Sequence, residues 1–233
     1  AEKDLAGVPL AKLSSKTLDG IEVEPLYTAE HDPSPPDGDA GAGSFLRARR
    51  ALGNVGEGWS IAQALSERDP AEAAASAKLV LRRGAEGLVV TLDPSQRAGR
   101  PTRCGGCGVS LRSVKDLELL VDGLDLSEVT LAFEGGSSAL ALAPALVLVA
   151  QSRSLDPAGI RAEFGHDPLG SLAASGSIPM SMERSWSLSA ELVRYCNEKL
   201  PAATPLAVSS VPFANAGAGP ALELGLGIAA GIE

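Results

Sequence analysis

Short apolar runs that favour β-strands alternate with helix-forming segments along most of this chain, and this alternation restricts its fold more than any other feature. Four such runs predict strands, at residues 86–92, 128–133, 160–164 and 206–210. They recur roughly every 40 residues with helices between them, which is typical of parallel βα units. Right-handed crossovers between such units allow either a (β/α)8 barrel or an open doubly wound sheet. No G-x-G-x-x-G pattern follows the first run, so the dinucleotide-binding form of the open sheet has no support.

Capping signals mark where the intervening helices begin. Asp69 is a capping residue, Pro70 occupies the first helical position, and Glu72 follows three residues after the cap. Gly84 ends this helix, as glycine commonly does. Ser113 caps the next predicted helix, in VKDLELLVD. Further helices are predicted at residues 137–152, from Pro168, at 185–199 and at 219–232.

Residues 1–58 differ in composition from the rest of the chain. Within them, residues 29–58 are rich in Pro, Gly, Asp and Ala, which predicts a loop or a wrapping linker. We therefore divide the chain into an extended N-terminal arm, residues 1–58, and a βα domain, residues 59–233. Trp59 and Trp186 are expected to act as core or interface anchors.

Charge and hydropathy exclude several functional classes. The formal net charge is −9, which disfavours nucleic acid as a partner because phosphate binding needs clustered Lys and Arg. The longest apolar run, residues 139–150, contains Pro144 and is too short to cross a bilayer. The charged residues at the start of the chain do not suit a signal peptide, and three cysteines do not make a disulfide scaffold. We therefore expect a cytoplasmic protein that binds neither nucleic acid nor membrane.

Two segments near opposite ends of the chain carry a family resemblance. Residues 17–28 read TLDGIEVEPLYT, and residues 204–233 read TPLAVSSVPFANAGAGPALELGLGIAAGIE. The chain resembles the methylmalonyl-CoA mutase family, whose members carry T-x-D-G-I…P-L-Y-T. They also carry a strand ending in Y-H, followed by x-x-x-A-G-A and a Glu-Leu helix. The resemblance covers most of residues 5–233, is strongest at the two ends, and favours the barrel over the open sheet.

The predicted fold class is therefore α/β, a partial (β/α)8 TIM-type barrel preceded by an extended arm. A full barrel takes about 250 residues for eight units. Only four βα units are visible in this sequence. We expect a truncated barrel, either a fragment or a naturally short protein, whose open edge beside the fourth strand is covered by a partner or by further sequence.

The family isomerises methylmalonyl-CoA and succinyl-CoA by radical chemistry that uses adenosylcobalamin. A separate domain holds this cofactor through a D-x-H-x-x-G motif, and neither His31 nor His166 lies in such a motif. The resemblance therefore implies that this chain alone does not bind adenosylcobalamin. The family's substrate-contacting Tyr, Gln and His correspond here to Ala64, Gly165 and Pro212. No catalytic residue is expected in this chain.

This pattern is similar to the family's non-catalytic small (beta) subunit, which keeps the fold and supports a catalytic chain. The resemblance implies a heterodimer with the catalytic large subunit, although a homo-oligomer stays open. It also implies that Val211, Pro212, Asn215 and Gly217 form the turn that faces cobalamin. Two alternatives remain: the acyl-CoA-binding part of an active mutase split from its cobalamin domain, and a stand-alone small-ligand-binding protein.

Three residues are candidates for contact with acyl-CoA. Arg47 and Arg50 belong to a basic cluster that is either a solvated loop or a site for a CoA phosphate. His166 follows a strand, where it is either a hydrogen-bonded neighbour of the Asp167 cap or a functional acid or base.

Two carboxylates, Asp93 and Glu134, also follow predicted strands. They suit acid–base work, a helix cap or a solvated loop.

The C-G-G-C sequence at residues 104–107 is the remaining motif. Cys104 and Cys107 would supply half of a structural zinc site, and only Cys196 and His166 could extend it. A redox dithiol is the other functional interpretation, but the thioredoxin-like context is absent, so an incidental pair in a loop is favoured. No metal site is predicted, because spacing without context is weak evidence.

Overall fold

The computed structural model describes residues 9–31, 41, 50–53, 55, 58–99 and 107–233. The chain divides into two compact units. The first unit joins the N-terminal residues through Trp59 with residues 216–225, and the second comprises residues 60–215 and 226–233.

The first unit contains a small antiparallel hairpin. Strand β1 (Ser15–Lys16) pairs with strand β2 (Glu22–Val23). The turn between them is closed by the Gly20 N–H, which donates to the Thr17 carbonyl at 3.0 Å, and Gly20 has a left-handed φ of +81°. The motif TLDGI is therefore a hairpin turn.

The second unit is built on a five-stranded parallel sheet. The strands follow one another across the sheet in chain order. They are β3 (Ala62–Leu65), β4 (Gly87–Thr91), β5 (Thr130–Glu134), β6 (Ala162–His166) and β7 (Thr204–Leu206). An open doubly wound sheet would reverse its strand order at a switch point. The unbroken order is that of a TIM-type barrel, and the barrel is not closed, which confirms the predicted α/β fold class.

Three of the four predicted strands are confirmed as β4, β5 and β6, within two residues at each end. The fourth was placed at residues 206–210, but β7 ends at Leu206. The following segment leaves the sheet, where the Ser209 N–H donates to Asp167 Oδ2 at 2.8 Å. Strand β3 was missed, because AQAL contains no β-branched or aromatic residue. The sheet therefore has five strands rather than four.

Helices follow the strands along the chain. They are α1 (Pro70–Arg82), α2 (Pro94–Ala98), α3 (Val114–Leu120), α4 (Ala139–Ser152), α5 (Pro168–Ser175), α6 (Met182–Lys199), α7 (Val211–Asn215) and α8 (Pro220–Ile232). The predicted caps are confirmed: Asp69 accepts the Ala71 N–H at 2.8 Å, and Ser113 forms a capping box with Asp116. Helix α6 begins three residues before its predicted start, where Ser181 caps it. The short helices α2 and α7 were not predicted.

The core lies between the sheet and its helices. Leu88, Leu131, Phe164 and Leu146 of α4 are each at most 1% exposed. The rings of Phe133 and Phe164 stack with their centroids 6.0 Å apart. Aliphatic side chains form nearly all of the remaining core.

The two tryptophans differ from this core in their exposure. Trp59 is 78% exposed, so of its two expected roles only that of an interface anchor fits. Trp186, on α6, is half-buried.

Among the described residues, no helix combines the length and the apolar character that crossing a bilayer requires.

Candidate functional site

The carboxyl edge of the parallel sheet is the candidate functional site. In parallel βα folds, ligands bind where the strands end. Asp93 lies two residues after β4, Glu134 is the last residue of β5, and His166 is the last residue of β6. Asp167 comes next in the chain. The structure thus places four sequence-predicted polar residues at the ends of adjacent strands.

His166 is the most unusual of these residues, because it is buried and only partly hydrogen-bonded. The residue is 6% exposed, and its Nδ1 lies 3.1 Å from the Gly136 carbonyl oxygen. Since a carbonyl only accepts, Nδ1 donates to it, and in the tautomer with the hydrogen on Nδ1 the lone pair lies on Nε2. Nε2 is buried and has no hydrogen-bond partner in the described structure. The ring can therefore accept a hydrogen bond from a ligand donor.

Glycine is required just before His166. Gly165 has a φ of +60°, and a Cβ atom placed there would lie 2.5 Å from the Phe133 carbonyl oxygen. A side chain would therefore be strained and would also collide with the backbone of β5. This is the position at which the resemblance aligns the family's Gln. The local backbone cannot accommodate that residue without moving.

Glu134 and Asp93 are both engaged with neighbouring groups. Glu134 Oε2 lies 3.7 Å from Arg97 Nη1, and both side chains are roughly half-exposed, so the pair adds little stability. Asp93 caps α2 by accepting the Ser95 N–H at 2.8 Å, which confirms the capping interpretation.

Arg97 was not identified as a candidate site residue from the sequence. Its Nε is buried and has no hydrogen-bond partner in the described structure. The sequence signal that could have identified it is its position in D-P-S-Q-R, four residues after Asp93, which follows β4.

Asp167 connects β6 with the segment that follows β7. One carboxylate oxygen accepts the Gly170 N–H at 2.8 Å and so caps α5, and the other accepts the Ser209 N–H. A Cβ atom on Gly170 would collide with this carboxylate, so glycine is needed there. Both oxygens therefore accept backbone N–H groups, which gives Asp167 a structural role.

The turn assigned to cobalamin lies on and after α7. Val211 is 59% exposed, Asn215 and Gly217 are exposed, and Pro212 is half-buried. These four residues offer one amide side chain and no imidazole or thiol, so they do not fit the role of a cobalt ligand. Their assignment as a cofactor-facing turn stays a prediction.

The basic candidates are only partly covered by the structure. Arg47 lies outside the described residues, whereas Arg50 is exposed in a turn.

The cysteines show no assembled site in the part of the chain that the structure describes. Cys104 lies outside it, Cys107 is exposed, and Cys196 is buried on α6. Burial raises the pKa of the Cys196 thiol, which disfavours the thiolate that a metal requires. Among the described residues, His, Cys, Asp and Glu form no group of three that could hold a metal ion.

Known proteins similar to this chain are mutases. A sequence model of methylmalonyl-CoA mutase matches residues 16–233. The methylmalonyl-CoA mutase small subunit of Streptomyces virginiae is 33% identical over 99% of this chain and 34% of its own length. The large subunit of the same organism is 24% identical over 100% of this chain and 33% of its own length. A methylmalonyl-CoA mutase of Cereibacter sphaeroides is 24% identical over 100% of this chain and 34% of its own length. The chain thus spans about a third of the length of these curated relatives. It belongs to the methylmalonyl-CoA mutase family.

Proposed function

We propose that this chain is a small-subunit-like component of an adenosylcobalamin-dependent methylmalonyl-CoA mutase of the cytoplasm. It has no catalytic role of its own and supports a catalytic large subunit. The assembled enzyme interconverts methylmalonyl-CoA and succinyl-CoA, and the large subunit rather than this chain holds the cofactor.

The observation that carries this proposal is the backbone at Gly165. A left-handed φ and a contact with the Phe133 carbonyl leave no room for the Gln that the resemblance expects there. The other two family positions hold Ala64 and Pro212, which have no side-chain donor, and Pro212 also has no N–H. Loss of one such donor typically lowers an enzyme's rate by about 10²- to 10³-fold. Loss of all three fits a chain that does not catalyse.

Two observations support a subunit partnership. In Streptomyces virginiae, proteins named small subunit and large subunit both align with this whole chain. In addition, β3 and β7 are the outer strands of an unclosed sheet, and parallel sheets are normally covered at their edges. We propose that the partner covers one of these edges and that the N-terminal arm, residues 1–58, contacts it.

The solution mass tests this partnership directly. Light scattering should show a 1:1 complex when the chain is mixed with a catalytic mutase large subunit. A catalytic large subunit from an unrelated adenosylcobalamin isomerase is the control, and it should not change the mass of the chain. A monomer or homodimer that ignores the mutase large subunit contradicts the proposal.

A second candidate function, binding of an acyl-CoA or another small ligand, is favoured by His166. Its buried Nε2 lacks a partner and is suited to accept a ligand N–H or O–H. Isothermal titration with methylmalonyl-CoA and with free pantetheine tests this function. Binding that is lost in His166→Phe and kept in Glu163→Gln, a change at an exposed residue of the same strand, would support ligand binding. If neither compound gave a binding heat, this candidate function would be ruled out.

A further inference from the structure

We infer that Asp19, in the hairpin turn of the arm, is the N-terminal cap of helix α8. A carboxylate near the start of the chain would then fasten the TLDGI turn to the first turn of a helix that begins 201 positions later, at Pro220. All of the residues involved lie in the first compact unit.

The contact itself is a hydrogen bond of ordinary geometry. Asp19 Oδ2 accepts the Ala221 N–H at 3.0 Å across a separation of 202 residues. Pro220, the first residue of α8, has no N–H, so Ala221 provides the first N–H of the helix that needs a partner. A carboxylate at this end also interacts favourably with the helix dipole.

The residue that would normally cap α8 cannot do so. Gly219 immediately precedes the helix and has no side chain to accept a hydrogen bond. A Cβ atom at Gly219 would lie 2.6 Å from Asp19 Oδ2, so the absence of a side chain makes room for the carboxylate. Asp19 and Gly219 are therefore complementary: one supplies the acceptor and the other leaves the space.

The hairpin turn presents Asp19 in a defined position. The Thr17 N–H donates to the Ile21 carbonyl at 2.9 Å, and the Ile21 N–H donates to Thr17 Oγ1 at 3.2 Å. Gly20 supplies the left-handed φ that this turn requires. Thr17, Gly20 and Ile21 thus hold the turn, which leaves the Asp19 carboxylate available to α8.

The first turn of α8 depends little on core packing. This helix has no buried residue, so core packing does not hold its first turn. The cap also joins the two segments that carry the family resemblance, and it does not depend on whether the chain catalyses or supports catalysis.

Hydrogen exchange on the full chain tests this inference. Asp19→Ala should accelerate exchange in peptides covering residues 216–225 and the hairpin by about 2- to 30-fold, the range expected for loss of a helix cap. Asp19→Asn keeps an acceptor oxygen and should stay close to the wild type. Gly219→Ala should resemble Asp19→Ala, because the added methyl group displaces the carboxylate.

Glu22→Ala is the matched control, because it removes another exposed carboxylate from the same hairpin. It should leave exchange at residues 216–225 unchanged. Exchange that is unaltered in Asp19→Ala, or that is equally fast in Asp19→Ala and Asp19→Asn, would overturn the inference. Neither outcome bears on complex formation with the large subunit, which the solution mass measures.

Discussion

Helices α4 and α8 are both strongly apolar, but they differ completely in burial. Helix α4 buries seven residues and packs on β6, α3 and α6, whereas α8 buries none, and its Leu224 is 65% exposed. The last βα unit (β7, α7 and α8) therefore resembles the central region (β4 to β6 with α4) in composition and not in packing. The apolar composition of a helix indicates that the helix packs against another surface, but it does not identify that surface.

The largest expected effect tests this difference in packing. Leu146→Ala in α4 removes a side chain that is 0% exposed, so it should lower the free energy of unfolding by about 2–5 kcal/mol. Leu224→Ala, the matched change in α8, should lower it by no more than about 0.5 kcal/mol. Urea unfolding of the two variants provides the measurement. Equal losses would show that α8 is packed in solution and would remove the contrast.

A second comparison concerns two left-handed glycines. Gly165, the residue before the end of β6, lies against the Phe133 carbonyl, whereas Gly217 has a φ of +97° and open space around it. Gly165→Gln should cost about 3 kcal/mol, from backbone strain and collision together. Gly217→Gln should cost only about 1 kcal/mol, from backbone strain alone. Thermal or urea unfolding that found the two variants equally stable would contradict the close contact at Gly165.

The hydrogen bonds of Asp167, which connect the central region with the last βα unit, should contribute a smaller amount to the free energy of unfolding. Asp167→Ala removes the cap of α5 and the hydrogen bond to Ser209, so it should cost about 1–2 kcal/mol. It should also accelerate hydrogen exchange in residues 207–210. Asp156→Ala is the control, because Asp156 caps only a short 3₁₀ turn through the Ala158 N–H. Faster exchange at 207–210 in this control would argue against a specific link.

The smallest effect concerns pH and the start of α3. Partial burial acts to raise the pKa of Asp116, but hydrogen bonds from Arg112 and Ser113 outweigh it and leave the pKa below its usual value. The ionised capping box thus contributes stability above the unfolded-state pKa of about 3.9, and this contribution is lost as the pH falls through the lower folded-state pKa. Urea unfolding at pH 7 and at pH 3 provides the measurement. The free energy of unfolding should decrease less between these two pH values in Asp116→Asn than in the wild type. Identical losses would exclude this contribution.

Much of the central region could be predicted because its signals are local. The short apolar runs of β4 and β5 and the capping residues Asp69 and Ser113 each act within a few positions of themselves. Strand β3 contains no β-branched or aromatic residue, and it is held by pairing with β4 rather than by its own propensity.

The candidate site was only partly predictable, because its defining contacts join distant positions. His166 was expected at a strand end, but its unpartnered Nε2 depends on a contact with Gly136. The segment after β7 is hydrogen-bonded to Asp167, and the first turn of α8 is hydrogen-bonded to Asp19, 202 residues before its partner. Such contacts leave no periodic pattern in a single sequence.

Turnover of methylmalonyl-CoA tests the support role most directly. The chain alone, supplied with adenosylcobalamin, should show no isomerisation, and adding it to a catalytic large subunit should raise the activity or the thermal half-life of that subunit. Isomerisation by the chain alone would contradict the role, as would a large subunit whose activity and half-life do not respond to the chain.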